Sequence, residues 1–249
     1  NKTRFEELGV KVIVSSPEVI DIAFDKYKTA QWVESLGLVA PKTYVRLEDV
    51  KKALAAGEIE FPLFMKPRWG SGSIGLESIA DMEELDIYYN LLMKKIKKTI
   101  LATASVGDEY IMIQEKLTGS EFGLDIMNDL NGNHVAVSVK QKLAMRAGET
   151  DKAVTVDLPE VREMGRKIGE ALGHIGNLDV DIMQRADGAY CVLELNPRFG
   201  GGFPFSYEAG VNMPKAIIQW VKGENVDPAM LQPEYGRMFS KNDYLMEIK

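Results

Sequence analysis

The 249-residue sequence has little of several features that mark particular protein classes. Its single cysteine, Cys191, excludes a disulfide framework. Its two histidines, His134 and His174, lie far apart with no partnering cysteine, which gives little support to a zinc site. No apolar run approaches the roughly 18 residues that a membrane-spanning helix needs, and the sequence shows no internal repeat or low-complexity segment. These absences argue against a disulfide scaffold, a zinc protein and a membrane protein.

Basic residues are fewer than acidic ones: 30 Lys and Arg residues compare with 37 Asp and Glu residues, which gives a net charge of −7. This balance disfavours general nucleic-acid binding but leaves the binding of a single nucleotide open. A hydrophobic content of 45% and a charged content of 27% are ordinary for a soluble globular protein of one large or two small domains. The single cysteine and the lack of a signal-peptide pattern predict a cytoplasmic protein.

The most informative stretch runs from Tyr190 to Gly202, where a carboxylate, an amide and a guanidinium follow one another at a strand end. Side chains alternate along a strand, so strict alternation predicts one face with two polar groups and one core face. The first face comprises Tyr190, Val192, Glu194 and Asn196, and the core face comprises Cys191, Leu193 and Leu195. A proline, Arg198 and three glycines then end the strand, which is typical of a functional site.

The preceding run, residues 178–183, also alternates, with Asp179 and Asp181 on the face opposite its apolar residues. If the two runs pair as a hairpin through the turn at 186–188, Asp181, Glu194 and Asn196 could converge. Hard oxygen ligands of this kind suit magnesium. The alternative is that these acidic residues only form a solvated face, but two acidic strands followed by Asn-Pro-Arg and a glycine run favour a site.

A second candidate feature is a strand over residues 61–68 that carries Lys66 near its end and enters the loop 70–75, which is rich in Gly and Ser. Small residues expose backbone N–H groups and the lysine supplies charge, so the arrangement suits phosphate. The loop matches neither the Walker nor the Rossmann glycine pattern. Taken alone, it is also compatible with a simple hairpin turn.

Hydrophobic spacing predicts the remaining elements. We expect helices over 16–36 with a break near Asp25, and over 49–56, 81–98, 158–173, 207–209 and 213–221. We expect strands over 10–14, 61–68, 76–79, 110–117, 121–127, 134–142, 178–183, 190–196 and 244–248.

Taken in order, these motifs resemble the ATP-grasp superfamily, and within it the short relatives of the carbamoyl phosphate synthase large subunit. The resemblance covers about residues 25–223 and depends on the order of motifs that are individually weak. They are Asp25-Lys26, Met65-Lys66-Pro67 with its loop, Gln114-Glu115-Lys116-Leu117, Gly119-Ser120-Glu121-Phe122, Asp181, and Glu194-Leu195-Asn196-Pro197-Arg198-Phe199-Gly200-Gly201.

The resemblance implies an α+β protein with the ATP-grasp fold, in which two α+β subdomains with antiparallel sheets clasp ATP. Residues 1–20 would be the remnant of an N-terminal α/β domain that is mostly missing. Residues 21–115 would form the small subdomain with its Gly-rich flap, and residues 116–249 the large subdomain with the metal site. Since neither a second ATP-grasp half nor a glutaminase domain is present in the sequence, we do not expect true carbamoyl phosphate synthesis.

The resemblance also implies roles for individual residues. By this resemblance, Lys26 and Lys66 contact the phosphates. The flap over the phosphates is formed by Gly70, Ser71, Gly72, Ser73 and Gly75. Adenine is read by the hinge of Glu115, Lys116 and Leu117, partly through backbone atoms, and the ribose by Glu121. Asp181, Glu194 and Asn196 match the metal ligands, while Arg198 and Lys142 match catalytic cations; Lys140 is close enough to leave the choice between the two lysines open.

The implied activity is that of an ATP-dependent carboxylate–amine or carboxylate–thiol ligase that forms an acyl phosphate and releases ADP and phosphate. Its cofactors would be ATP and Mg²⁺, or alternatively Mn²⁺. Small-molecule carboxylates and amines would be its partners, without nucleic acid or membrane and with a homodimer left open. Two alternatives remain: a non-catalytic nucleotide-binding module and an ATP-grasp phosphotransferase of kinase type.

Overall fold

The computed structural model describes residues 1–70, 75–99, 103 and 107–242, which form two antiparallel sheets with helices packed on them. Within these residues, no helix is both long and apolar enough to cross a membrane. The mixed α+β class and the two antiparallel sheets agree with the fold expected from the sequence.

The first half of the chain builds the smaller sheet. Three helices come first: α1 (Lys2–Glu6), α2 (Pro17–Phe24) and α3 (Lys26–Ser35). They are followed by β1 (Thr43–Tyr44), α4 (Leu47–Ala55), β2 (Leu63–Pro67), β3 (Glu77–Ile79), α5 (Met82–Ile96) and β4 (Ile111–Glu115). The strands pair in the order β1-β4-β2-β3. Apolar residues of α4 and α5, such as Val50 and Leu85, are fully buried against this sheet.

The second half builds the larger sheet. Its strands are β5 (Glu121–Asn128), β6 (His134–Arg146), β7 (Glu149–Thr155), β8 (Gly176–Gln184), β9 (Tyr190–Asn196) and β10 (Met238–Ser240). Its helices are α6 (Pro159–Leu172), α7 (Phe203–Glu208), α8 (Met213–Lys222) and a short 3₁₀ helix (Pro228–Leu231). The strands pair in the order β10-β7-β6-β5-β8-β9.

The two faces of the larger sheet differ in what covers them. One face packs against α2, α3 and α6 in a core that contains Leu124, Val180 and Leu195. The other face is covered by α7 and α8 only at one end, around Met127 and Ala136. This second face carries Asp125 on β5, Lys140 and Lys142 on β6, Asp181 on β8, and Glu194 and Asn196 on β9. The part of the face that the helices leave open is available to a ligand.

The break between α2 and α3 has a clear local cause. Ser16 caps α2 by accepting a hydrogen bond from Val19 N, and Pro17 stands at its first position, where a missing N–H costs nothing. Asp25 then caps α3 by accepting from Tyr27 N and Lys28 N. As the sequence predicted, a second helix therefore begins just after Asp25, and Lys26 stands at its first position.

Two predicted strands differ from the structure. Residues 10–14 form no strand in the described part of the chain, and Val10 and Val14 are half-exposed because this segment has no neighbouring strand to pair with. Conversely, β6 continues past Lys142 to Arg146 and turns into β7, a strand that the sequence reading missed because its charged residues obscure the alternation. The strand predicted over 244–248 lies outside the described residues.

The assignment of side chains to the two faces of β9 was wrong for Tyr190, Cys191 and Val192. Asp181 pairs with Glu194, whereas the next residue, Ile182, pairs with Val192, so Leu193 is an extra residue on β9. A bulge of this kind reverses the alternation. Tyr190 and Val192 therefore pack in the same core as Leu195, while Glu194 and Asn196 keep the opposite face.

Candidate active site

The predicted hairpin of β8 and β9 is present and brings the polar side chains together. Asp181 lies directly opposite Glu194, and Asp179 lies directly opposite Asn196. Directly paired residues of antiparallel strands share a face, with Cβ atoms roughly 4.5–5.5 Å apart. The three residues predicted as metal ligands therefore occupy one face of the sheet, and Asp179 joins them.

Lys142 is held between two acidic residues of this face. Its Nζ donates to Glu121 Oε1 and to Asp181 Oδ1, both at 2.6 Å. Burial lowers the pKa of Lys142, but the carboxylates of Asp181 and Glu121 outweigh it, so the pKa is raised above its ordinary value. The ammonium group of Lys142 thus links Glu121, which was predicted to bind ribose, to Asp181, which was predicted to bind the metal.

Two further lysines approach the cluster from the first half of the chain. Lys26 Nζ lies 3.8 Å from Glu194 Oε1 and donates a hydrogen bond to Gly70 O. Burial lowers the pKa of Lys66 to about 8, and the negative charge of Glu194 acts against that shift. Lys26, Lys66 and Lys142 therefore surround the Asp181 and Glu194 pair with positive charge.

The donor set fits a hard divalent cation by its chemistry. Two carboxylates and an amide face the same space, and magnesium takes oxygen ligands of this type. Among the residues that the structure describes, no group of three or more His, Cys, Asp and Glu side chains is arranged to hold a metal ion. In the structure, Lys142 and Lys26 pair with Asp181 and Glu194 and neutralise them instead.

A cavity of about 260 Å³ opens above these side chains. Asp179, Asp181, Glu194, Asn196 and Arg198 line it on the side of β8 and β9. Its opposite wall comes from the β6–β7 hairpin and the glycine run, with Met145, Glu149, Thr150, Gly201 and Gly202. The wall formed by the β6–β7 hairpin was not predicted from the sequence, because β7 was not predicted.

Arg198 and the glycines that follow it pack closely against Asp179. Arg198 Nη1 lies 3.4 Å from Asp179 Oδ2 and donates to Phe199 O at 3.0 Å. Burial raises the pKa of Asp179 to about 7, and the neighbouring carboxylates of Asp181 and Asp125 add to the shift. A Cβ at Gly200 would lie only 2.2 Å from Asp179 Cγ. A glycine is therefore required at 200 for the chain to approach the carboxyl group this closely.

A fully buried polar cluster lies beneath the cavity. Lys140 Nζ donates to Asp125 Oδ2 at 2.5 Å, and neither side chain is exposed by more than 1%. Ser206 Oγ donates to the same Asp125 oxygen at 2.6 Å, and Asn177 Nδ2 donates to Asp125 Oδ1 at 3.0 Å. Both lysines line the cavity, but Lys140 is committed to Asp125, whereas Lys142 pairs with Glu121 and Asp181. Asp125 and Ser206 had no signal in the sequence pattern.

The side chain of Glu115 in the hinge is engaged in structural contacts. Glu115 Oε1 accepts hydrogen bonds from Lys42 N at 2.8 Å and from Arg185 Nη1 at 3.3 Å. Lys116 Nζ donates to Ser78 Oγ at 3.0 Å, and Leu117 is half-buried. These contacts leave the backbone of the hinge as the group available to a base. The adenine-reading role stays a prediction.

The Gly-rich loop is described only at its two ends. Gly70 accepts the hydrogen bond from Lys26, and Gly75 packs against Pro67, where a Cβ would lie 3.2 Å from Pro67 Cδ. Ser71, Gly72 and Ser73 lie outside the described residues. Their role as a flap stays a prediction.

An ion pair that the sequence reading did not foresee fixes the segment leading to Lys26. Arg68, at the end of β2, binds Asp25 through two hydrogen bonds of 2.8 Å and reaches Glu109 Oε2 at 3.0 Å. Bidentate pairs of this kind hold both position and orientation. Asp25, which caps α3, therefore also links Lys26 to the strand that carries Lys66.

Three comparisons with known proteins bear on this site. The family model described as "ATP-grasp in the biosynthetic pathway with Ter operon" matches residues 108–241. The carbamoyl phosphate synthase large chain of Pseudomonas putida is 25% identical over 210 residues, which is 80% of this chain and 18% of that protein. The D-alanine–D-alanine ligase of Stutzerimonas stutzeri is 28% identical over 187 residues, covering 70% of this chain and 55% of the ligase.

Among solved structures, the biotin carboxylase domain of Hydrogenobacter thermophilus 2-oxoglutarate carboxylase, a dimer in complex with MgADP, ADP and bicarbonate, has a TM-score of 0.74. It is 20% identical, and the match covers 90% of this chain and 51% of that one, so the likeness concerns the fold. This chain thus spans about half the length of that structure and of the ligase, and less than a fifth of the synthase.

Proposed function

Because the chain belongs to the ATP-grasp family described as "ATP-grasp in the biosynthetic pathway with Ter operon", we propose that it is an ATP-dependent carboxylate–amine ligase. Its relatives include a carbamoyl phosphate synthase large chain and a D-alanine–D-alanine ligase, which supports the assignment to a ligase. The observation that carries the proposal is the cluster in which the opposed Asp181 and Glu194 meet Lys142 and Lys26, with Arg198 lining the same cavity. A site with this much charge of both signs suits phosphate chemistry.

The proposed reaction has two steps. A carboxylate oxygen of the acceptor attacks the γ-phosphorus of ATP, the bond to the bridging oxygen breaks, and ADP leaves. An amine then attacks the acyl carbon of the resulting acyl phosphate, which expels phosphate as the nitrogen loses a proton and an amide forms. The first step brings an anion to an anion, so it requires positive charge at the phosphates and exact alignment.

The lysines and Arg198 supply that charge in the proposal. In this proposal Lys26, Lys66 and Lys142 would contact the phosphates, which is supported by their interactions with the Asp181 and Glu194 pair. With a pKa of about 8, Lys66 is mostly protonated at neutral pH. Arg198, which is half-exposed beside Asp179, would orient the acceptor carboxylate and the transferred phosphoryl group.

Magnesium, or alternatively manganese, would be held by Asp181, Glu194 and Asn196 and would neutralise developing charge on the phosphate oxygens. The remaining nucleotide contacts are assigned by position. Glu121, now bound to Lys142, would accept hydrogen bonds from the ribose, and the backbone of residues 115–117 would read adenine. In this proposal, the subdomains 21–115 and 116–249 clasp the nucleotide between their sheets.

Trapping with hydroxylamine tests the proposal directly. The purified chain would be incubated with ATP, Mg²⁺, hydroxylamine and a panel of carboxylic acids, and both ADP and acyl hydroxamate would be measured. We expect one hydroxamate per ADP with the accepted acid. A phosphorylated alcohol in place of a hydroxamate would indicate a phosphotransferase, and nucleotide binding without ADP release from any acid would indicate a non-catalytic module. Either result would overturn the ligase proposal.

A further inference from the structure

A second cavity, also of about 260 Å³, opens beside the first. It lies between α2 and the segment that ends β9, and it shares Glu194, Asn196 and Arg198 with the first cavity. Three side chains of the candidate active site therefore face both spaces. A molecule in the second cavity would reach the reacting centre without crossing the protein interior.

The wall that α2 contributes is entirely apolar. Ile20, Ala23 and Phe24 line the cavity from this helix. Ile20 and Phe24 stand four residues apart, so they lie one above the other on the same helical face. Ala23 is buried in the core, whereas Ile20 is 36% exposed and Phe24 is 50% exposed. Ile20 and Phe24 line the same cavity as Pro197, and a contiguous apolar surface of this kind, rather than one exposed ring, marks a ligand-binding groove.

The opposite end of this cavity is cationic. Lys26 and Arg198 both line it, and Pro197 adds an apolar surface next to the arginine. Among the lining residues that the structure describes, Glu194 alone is acidic, and Lys26 Nζ lies 3.8 Å from that carboxylate. The cavity is therefore amphipathic, with positive charge toward the candidate active site and apolar side chains toward α2.

We propose that this cavity holds the acceptor substrate and that the acceptor is a small carboxylic acid with an apolar, aliphatic or aromatic, side chain. The inference rests on the proposed ligase function. The carboxylate would lie toward Arg198 and Lys26, where it can reach the phosphates, and the side chain would lie against Ile20, Phe24 and Pro197. A charged side chain would lose its hydration against α2 without gaining a partner, so the site rejects it. The cavity volume limits the acceptor to a small molecule.

A matched set of acids tests the inference. In the hydroxamate assay, the probes are acetate, isocaproate, 3-phenylpropanoate and glutarate, together with their 2-amino counterparts. We expect kcat/KM for the best acid with a branched or aromatic side chain to exceed that of acetate and of glutarate by about tenfold or more, since one methylene in an apolar pocket discriminates by roughly 10- to 200-fold. Equal or better use of glutarate would overturn the inference.

Two variants locate the effect on α2. Phe24→Ala and Ile20→Ala should each lower kcat/KM for the preferred apolar acid by about tenfold relative to acetate. Ile87→Ala, at a residue of α5 that is 57% exposed and lies outside both cavities, is the matched control and should leave this ratio unchanged. In a separate binding assay, the preferred acid with ADP should raise the Tm of the parent more than that of Phe24→Ala.

The outcomes separate the two proposals. Hydroxamate formed only from acetate or glutarate would keep the ligase function and overturn the apolar acceptor. A loss of Tm in Phe24→Ala and Ile20→Ala with unchanged acid selectivity would show that protein, rather than substrate, covers this face of α2, and would also overturn the inference. No hydroxamate from any acid would overturn the ligase function and this inference with it.

Discussion

Replacing Lys140, which lines the cavity but is itself fully buried, with methionine should destabilise the protein strongly. Methionine keeps the length of the side chain in a narrow slot, where a Cβ at Gly123 would lie 3.3 Å and one at Gly202 2.8 Å from Lys140 Cε. What changes is the charge. Asp125 would remain fully buried with Ser206 and Asn177 as hydrogen-bond donors but with no cation.

The size of the effect follows from burial. Removing one partner of a buried ion pair costs about 3–5 kcal/mol, because the other charge stays desolvated and uncompensated. Total stabilities of about 5–15 kcal/mol make this a large fraction, and the corresponding fall in Tm is roughly 6–20 °C for a chain of this size. Lys51 and Asp86 form a matched exposed pair at 2.6 Å, with side chains 40% and 45% exposed. Lys51→Met should cost at most about 1 kcal/mol.

Urea unfolding monitored by circular dichroism measures these free energies. Lys140→Met should unfold at a clearly lower midpoint than Lys51→Met. Adding Asp125→Asn to Lys140→Met should recover part of the loss, because the amide removes the charge, its oxygen can accept from Asn177 Nδ2, and its NH₂ group can donate to Ser206 Oγ. If Lys140→Met lost no more stability than Lys51→Met, or if the second substitution lowered stability further, the argument from an uncompensated buried charge would be refuted.

Three other changes have defined outcomes. Glu194→Gln should reduce ATP turnover by on the order of a thousandfold while nucleotide binding stays detectable; turnover within about threefold of the parent would exclude a role as metal ligand. Burial lowers the pKa of His174 to about 4, so the unfolded chain binds the extra proton and stability should fall by about 3 kcal/mol as pH drops from about 6.5 to 4; His174→Gln should flatten this slope in urea titrations. Gly119→Ala should cost more than about 2 kcal/mol, since its Cβ would lie 1.8 Å from Gln184 O, whereas Gly223→Ala, with nothing within 4 Å, should cost about 1 kcal/mol by thermal unfolding.

The parts of the fold that the sequence predicted well are those with local signals. The helix α6 carries its apolar residues at helical spacing and ends at Gly173 in the left-handed conformation, so its bounds were predicted to within a residue or two. The same is true of α2 and α3, whose boundary is marked by the cap Asp25. Capping and periodicity depend on neighbours in the chain, which a single sequence contains.

The sequence predicted which residues form the candidate site, but not which contacts they make with one another. The hairpin of Asp181 and Glu194 could be foreseen from two alternating strands and a turn, and the structure places these residues opposite each other. The pairing of Lys142 with Asp181 could not, because it joins strands that are far apart in sequence. Nor could the burial of Lys140, since a lysine on a strand is expected to be solvated until its partner Asp125 is known.

Membership of the ATP-grasp family and the fold class are established by the comparisons and the structure together. The division into subdomains, the roles of the site residues, the cytoplasmic location and the homodimer stay predictions. For the site residues, the reason is physical. A carboxylate occupies nearly the same position whether it pairs with a lysine or binds a metal ion, and the sequence is identical in the two cases. Only a ligand-binding measurement therefore separates the two roles.

The extra residue at Leu193 affects how other sequences should be matched to this one. If a relative that lacks this residue were aligned without a gap, its counterpart of Leu195 would be matched to Glu194. A core residue would then be assigned to the cavity. Deleting Leu193 would place Val192 directly before Glu194, which restores regular alternation and keeps the apolar residues of β9 and its two polar residues on their present faces of the sheet. Among active relatives, the residue corresponding to Leu193 should therefore be present or absent without a compensating change in β8, and an alignment gap in β9 belongs at this position.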